Sequence, residues 1–240
     1  SLWDKVCRKD VLWQAYRHCR ANGGAPGADR VTFEQIESEG VMAWLAKLQE
    51  ELRSKTYCPG PLLRVWIPKS NGGQRPLGIP AIRERVAQMA LLLVIGPIFE
   101  ADFCPEQYGF RPGVDAKMAI RRAYFHVAKR GLREVVDADL SDYFNTIPHG
   151  ALLRCLSRRI ADGQVLSTIK QWLRTPVVER TGDGERRTTE AADKNRGVPQ
   201  GGPATPPTIL PNFRFCSRLP CREPGFGPSM ARASGGSQVA

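Results

Sequence analysis

An α+β (α/β) fold is the class this sequence predicts, and three observations predict it. Apolar residues recur at three- and four-residue spacing in several long stretches, the signature of amphipathic helices. Between them Leu62 to Ile67 alternates and meets Asn71-Gly72-Gly73, a hairpin signal. Farther on, a β-branched run, Val135-Val136, leads through Asp137-Ala138 to Asp139-Leu140 and then to a helical pattern after Pro148.

The 240 residues hold one large domain or two small ones, and 42% apolar content is that of an ordinary globular protein. A net charge of +11 makes polyanions, nucleic acid above all, the leading partner class. No run of eighteen apolar residues occurs, the longest being Met89 to Ile95, so no membrane span is expected. The opening SLWDKVCRKD lacks the apolar segment of a secretory signal, and Ser1 in place of Met is consistent with a start inside a longer frame. Seven irregularly spaced cysteines contain no CxxC and combine with no histidine into a zinc pattern. They read as reduced thiols of a cytoplasmic protein, mostly packed as small apolar groups.

In chain order, Trp3, Val6, Cys7, Val11, Ala15, Tyr16 and Cys19 predict one helix, stopped at Asn22-Gly23-Gly24. Thr32 and Gln35 fit a capping box before the next helix. Val41, Trp44, Leu45, Leu48 and Leu52 predict another helix, ending near Lys55. The hairpin follows, with Leu63, Val65 and Ile67 on one side, Arg64 and Trp66 on the other, and Gln74 to Ile79 as the returning strand. Lys69 and Arg75 flank its turn, where long cations reach past the tip. They are either solvated there or matched to a phosphate chain.

Ile82, Val86, Met89, Ala90 and Leu93 form a stripe expected to end at Gly96-Pro97. Ala116, Ile120, Ala123, Tyr124 and Val127 form another, backed by Lys117, Arg121, Arg122, Lys129 and Arg130. From Lys55 to Arg133 there are 13 basic and 5 acidic residues, interleaved with Trp66, Tyr108, Phe110 and Tyr124. That mixture suits backbone contacts and base stacking. Leu152 to Ile160 and Val165 to Leu173 predict two more helices, and 177–196 a hairpin or exposed loop. After Pro206 the chain is proline-rich, loses all periodicity and reads as disordered.

Asp139, where a strand meets a turn, presents its carboxylate beside backbone carbonyls, the hard oxygens Mg²⁺ prefers. An aspartate there equally caps a turn. Its company decides. GAPGADRVTFEQIE, RVWIPKSNGGQRPLGIPAIRERVAQ, FEADFCPEQYGFRPG, VVDADLSDYFNTIPH and RGVPQGGPATP, in that order, resemble the group II intron reverse transcriptase/maturase family over roughly Ser1 to Pro206.

The resemblance implies right-hand polymerase fingers plus a partial palm, with the thumb absent. It divides the chain into 1–133, fingers with an N-terminal RNA-binding extension; 134–205, partial palm; and 206–240, a tail outside the family pattern. It implies an RNA-directed DNA polymerase, transferring a nucleotide from a dNTP to a DNA primer's 3′-hydroxyl on an RNA template. The complete family site holds two Mg²⁺ ions. Asp139 resembles the first catalytic aspartate, with the Leu140 carbonyl as a further metal ligand. Lys69 and Arg75 resemble the residues that hold the incoming triphosphate, Phe144 the gate against a ribose 2′-hydroxyl, and Gln200 a lining residue of the nucleotide pocket. Gly27, Tyr108, Phe110 and Arg111 match blocks that grip template or intron RNA, and Arg121 and Arg122 extend that basic surface. Full-length relatives imply a homodimer as one assembly.

Departures accompany the match. Arg30 stands where glycine is common, Glu84 for a usual Asp, and Asn145-Thr146 for a usual Asp-Asn. No Tyr-Ala-Asp-Asp follows Gln200, Asp193 being the last aspartate. A frameshifted or degraded gene, inactive alone, is therefore the expectation. The alternatives are a non-catalytic remnant that binds intron RNA, and a reverse transcriptase of the CRISPR-associated or retron type.

Overall fold

The computed structural model describes residues 1–68, 72–109, 111, 113–134, 136, 142–181, 184–199 and 201. Helices precede and follow a small sheet: α1 (Leu2–Val6), α2 (Lys9–Asn22), α3 (Phe33–Glu39), α4 (Val41–Arg53), β1 (Leu62–Pro68), β2 (Gln74–Ile79), α5 (Ile82–Glu100), α6 (Ala116–Arg130), α7 (Tyr143–Thr146), α8 (His149–Ser157), α9 (Gly163–Leu173), β3 (Val177–Thr181), β4 (Gly184–Thr188) and α10 (Glu190–Lys194). The mixed α+β class holds.

The first expected helix is two. Ser1 and Asp4 form a capping box on α1, which stops at Cys7, and Arg8 is extended (φ −71°, ψ 142°) before α2 starts. The break rephases the apolar stripe. Trp3 and Val6 are buried from α1, and Leu12, Ala15, Tyr16 and Cys19 from α2, with Val11 partly buried against the same core. At α3 the Thr32–Gln35 capping box forms in full, as its spacing predicts.

α5 is the hub. It runs through Gly96-Pro97 to Glu100, beyond the expected stop. A proline inside a helix removes one hydrogen bond. Burial of Ile95 and Phe99 to 1% exposure offsets that loss, each such side chain being worth about 1.5–3 kcal/mol. Buried residues lie on most of its faces, among them Val86, Ala90 and Leu91, because helices surround it. The core continues through Leu48 and Leu52 of α4 to Leu152 and Leu156 of α8 and Val165 and Ile169 of α9. Asp162 ties the N-terminal helix to α9: it caps α9 at Gln164 and Val165 and accepts the Trp3 amide at 2.9 Å.

The sheet order is β2-β1-β3-β4, antiparallel except for the β1–β3 pair. The hairpin β1–β2 has the expected bounds, with Ile67 opposite Arg75 and Arg64 opposite Gly78. Only its base enters the core. Leu62 is buried, whereas Val65, Trp66 and Ile67 are 37–43% exposed, so the outer half projects from the body. Trp66 donates from its indole to Glu179 on β3 at 2.5 Å. Of the hairpin or exposed loop expected at 177–196, the hairpin forms, as β3–β4, and α10 follows it in the chain.

α6 departs from its pattern. Asp115 caps it and Gly131 ends it in the left-handed region, but it buries nothing. Ile120, Tyr124 and Val127, the expected inward stripe, are 67%, 68% and 53% exposed. Periodicity marks a face suited to burial, and no described element covers this one. The strand expected at 135–140 and the tail from 206 lie outside the described residues, apart from Val136, which is 92% exposed and not in a strand. Among the cysteines, Cys7, Cys19, Cys58 and Cys104 are free thiols. Cys155 is disulfide-bonded, which corrects the expectation of reduced thiols throughout.

Candidate nucleotide and template site

Three segments distant in sequence converge beside the hairpin: Pro76–Gly78 of β2, Asp142–His149, and 195–199 with Gly201. The second begins at Asp142, itself left-handed (φ 51°), which accepts from the Asn145 side chain at 2.6 Å and starts the single turn of α7. Tyr143 and Phe144 meet edge to face, centroids 5.7 Å apart, and both lie partly buried against the core. Burial pushes the Tyr143 hydroxyl above its ordinary pKa.

The third segment runs antiparallel to the second. His149 N donates to Asn195 O (2.9 Å), Gly197 N to Ile147 O (2.9 Å) and Val198 N to Phe144 O (2.7 Å), with a bridge between Pro148 and Arg196. The buried His149 ring joins them, its Nε2 2.8 Å from Gly197 O. Gly197 is left-handed (φ +95°), and a Cβ there would stand 3.3 Å from Asn145 O. Gly201 (φ +127°) lies so close to β2 that a Cβ would stand 2.5 Å from Gly78 O. Pro199 packs near Gly78 as well. Val198, Pro199 and Gly201 are thus seated between the hairpin base and the α7 turn.

The expected nucleotide residues distribute accordingly. Phe144 is in this junction, and Arg75 is exposed on β2, one pair inside the outermost pair of the ladder. Lys69, Asp139, Leu140 and Gln200 lie outside the described residues, although Gln200 falls between Pro199 and Gly201. Among the described residues no group of three or more His, Cys, Asp or Glu converges on a metal-sized site. Asp142, the nearest described carboxylate in sequence to Asp139, already accepts from Asn145. The described residues by themselves hold no site for two divalent ions, and Asp139 and Leu140, to which the resemblance assigns it, lie outside them.

The template residues fall elsewhere. A Cβ on Gly27 would meet Ala81 N at 2.5 Å, so the glycine-rich loop lies directly on the backbone between β2 and α5. Arg85 holds that loop through Gly23 O (3.1 Å) and Ala25 O (2.6 Å), and burial lowers its guanidinium pKa. Arg180 reaches Ala28 O from β3. Arg111 spends its guanidinium on Glu100 and on the carbonyls of Cys104 and Gln107, and stacks over Phe103 at 5.5 Å. Tyr108 is half-buried, and Phe110 is outside the described residues. Arg121 and Arg122 are exposed on α6, Arg122 near Glu106 at 3.4 Å.

His149 and Arg85 escape sequence reasoning. His149 follows Pro148 at a helix start, where a polar residue is unremarkable, and Arg85 sits in a charged RERV run. Only the arrival of a remote carbonyl at each side chain marks it.

Residues 67–209 match the family described as reverse transcriptase (RNA-dependent DNA polymerase). Protein YkfC of Escherichia coli K12 is 36% identical over 206 residues, 84% of this chain and 52% of that protein. Group II intron-encoded protein LtrA of Lactococcus lactis subsp. cremoris is 27% identical over 85% of this chain and 32% of its own length. The putative COX1/OXI3 intron 2 protein of Saccharomyces cerevisiae is 28% identical over 87% of this chain and 23% of its own length. The chain thus spans about half or less of these relatives. A solved partial Cas6-RT-Cas1--Cas2 complex aligns over 90% of this chain and 34% of its own with a TM-score of 0.55, at 20% identity, a likeness of fold.

Proposed function

Because this chain belongs to the group II intron reverse transcriptase/maturase family, we propose that it carries the fingers (1–133) and first part of the palm (134–205) of an RNA-directed DNA polymerase, with 206–240 outside both. The observation that carries this reading is the junction of three motif blocks: Val198 N on Phe144 O, and Gly201 against Gly78. It joins Phe144, Pro199 and Gly201 to the base of the hairpin, which supports a pocket where gate, Pro-Gln-Gly block and hairpin cations meet an incoming nucleotide. Arg75 and Lys69 take the triphosphate, Phe144 the sugar edge, and Gln200 the base-pair side. Asp139 and the Leu140 carbonyl contribute to the family's Mg²⁺ site.

The reaction is attack of a primer 3′-hydroxyl on the α-phosphorus of a dNTP, with pyrophosphate leaving. Asp139 is the sole metal-binding carboxylate that the family pattern assigns within these 240 residues. A polypeptide of these residues alone is therefore expected to bind nucleotide and not to extend a primer. Primer extension on an RNA template with labelled dNTP tests this. Incorporation abolished by Asp139→Ala would overturn the inactivity. Photocrosslinking of a dNTP that an rNTP competes equally well would overturn the nucleotide pocket.

A second reading, a non-catalytic module gripping intron RNA, draws on α6. That helix bears five Lys or Arg and no acid, with Tyr124 and Phe125 exposed beside them. It requires tighter binding to structured intron RNA than to random RNA at physiological salt. Equal binding counts against it.

A further inference from the structure

We propose that His149 is a positioning residue that sets the sugar discrimination of the nucleotide pocket by clamping one peptide group; this rests on the polymerase reading above. Gly197 O and Val198 N belong to the same peptide. Its oxygen is 2.8 Å from His149 Nε2, and its nitrogen donates to Phe144 O at 2.7 Å. The plane of this one peptide therefore depends on a histidine ring at one end and on the gate residue's own carbonyl at the other.

A carbonyl oxygen only accepts, so Nε2 is the donor of this bond. The Nδ1 atom is buried without a partner among the described residues. The ring is 4% exposed, and a buried polar group with half its capacity unused is a costly choice for packing alone. Leucine or phenylalanine would fill the space without that cost. What they lack is the donor.

The donor matters at this position because Gly197 is in the left-handed region, where glycine moves freely. A peptide following such a glycine can rotate unless its oxygen is held. Rotation breaks the bond from Val198 N to Phe144 O, releasing the Phe144 main chain and shifting Pro199 and Gly201 on Gly78. Pro199 and Gly201 flank Gln200 in the sequence, so the same movement reaches both sides of the proposed pocket.

Two variants separate donor from volume: His149→Gln keeps an N–H within reach, and His149→Phe keeps bulk only. The first readout is amide hydrogen exchange at Val198, which does not depend on nucleotide binding. Protection is expected to fall about tenfold in His149→Phe, to stay within about threefold in His149→Gln, and to be unchanged in α5. Full Val198 protection in His149→Phe overturns the clamp. The second readout is photocrosslinking of 8-azido-dATP against 8-azido-ATP on an RNA template and DNA primer with Mg²⁺. The native chain is expected to prefer the deoxynucleotide, with the preference lost about three- to tenfold in His149→Phe and kept in His149→Gln. Preference retained in His149→Phe overturns the inference alone. Absence of preference in the native chain overturns the nucleotide pocket, and the role in discrimination with it.

Discussion

Gly201 stands at φ +127° with no room for a Cβ against Gly78 O, and Gly27 has none against Ala81 N. Backbone atoms do not yield as a flexible side chain does, so Gly201→Ala is expected to cost about 1–3 kcal/mol and to loosen the 195–201 segment. Thermal unfolding measures the first effect, and amide exchange at Val198 the second. Arg30 is the converse case. It adopts φ +63° without being glycine, at a position where the family resemblance makes glycine the common residue. Left-handed geometry costs an ordinary residue about 1–2 kcal/mol, and glycine gives back part of that in chain entropy. Arg30→Gly is expected to raise stability by up to about 1 kcal/mol in a denaturant titration, and a clear loss would contradict it. The thiols differ in the same local way. Burial pushes Cys7 and Cys19 up to about 11, so at pH 8 both are almost wholly protonated and slow to alkylate, whereas Cys58 is exposed. Peptide mapping after brief iodoacetamide treatment is expected to find Cys58 modified well before either.

Helices α9 and α6 give opposite answers to one question, whether an amphipathic pattern stabilises. α9 buries Val165, Ile169, Trp172 and Leu173, and Asp162 holds its first turn to α1. Burial raises the Asp162 pKa, but the amides of Trp3, Val165 and Gln164 outweigh it and the net shift is downward. A carboxylate lowered on folding contributes stability that is fully present above the unfolded value, about 3.9, and is lost as pH falls through the lower folded value. Asp162→Ala is expected to cost about 1–2 kcal/mol at pH 7. The difference from native should shrink in acid below that range, as chemical denaturation at pH 7 and pH 2.5 would show. α6 buries no residue, so replacing Ile120 and Val127 by glutamine is expected to change stability by less than about 0.5 kcal/mol each. A larger loss would mean that this stripe is covered.

Across the whole molecule, the charge of +11 bears on partners rather than on fold. Binding that rests on phosphate contacts weakens linearly on a log–log plot against salt, by about 0.7 per contact for a single strand. The double substitution of Arg121 and Arg122 by glutamine is expected to reduce that slope by roughly 0.7–1.4, as filter binding across a salt series would measure, and to leave it unchanged if α6 does not touch RNA. The same surface leaves the hydrophobic body intact, because the core runs from Trp3 to Val198 without drawing on α6.

Local patterning by itself determined the mixed class, the ends of the β1–β2 hairpin, the capping box at Thr32 and the stop at Asn22-Gly23, since each depends on residues within one turn or one hairpin. The ordered motif blocks determined the family, which no single spacing could. Only the tertiary structure decided that α5 continues through Pro97, where buried Ile95 and Phe99 repay the lost hydrogen bond, and that α6 faces outward. It alone placed Gly27 on the backbone at Ala81 and His149 on a carbonyl 48 residues away. Such partners are set by how the chain returns on itself, and a sequence carries no local period for a single hydrogen bond between distant segments.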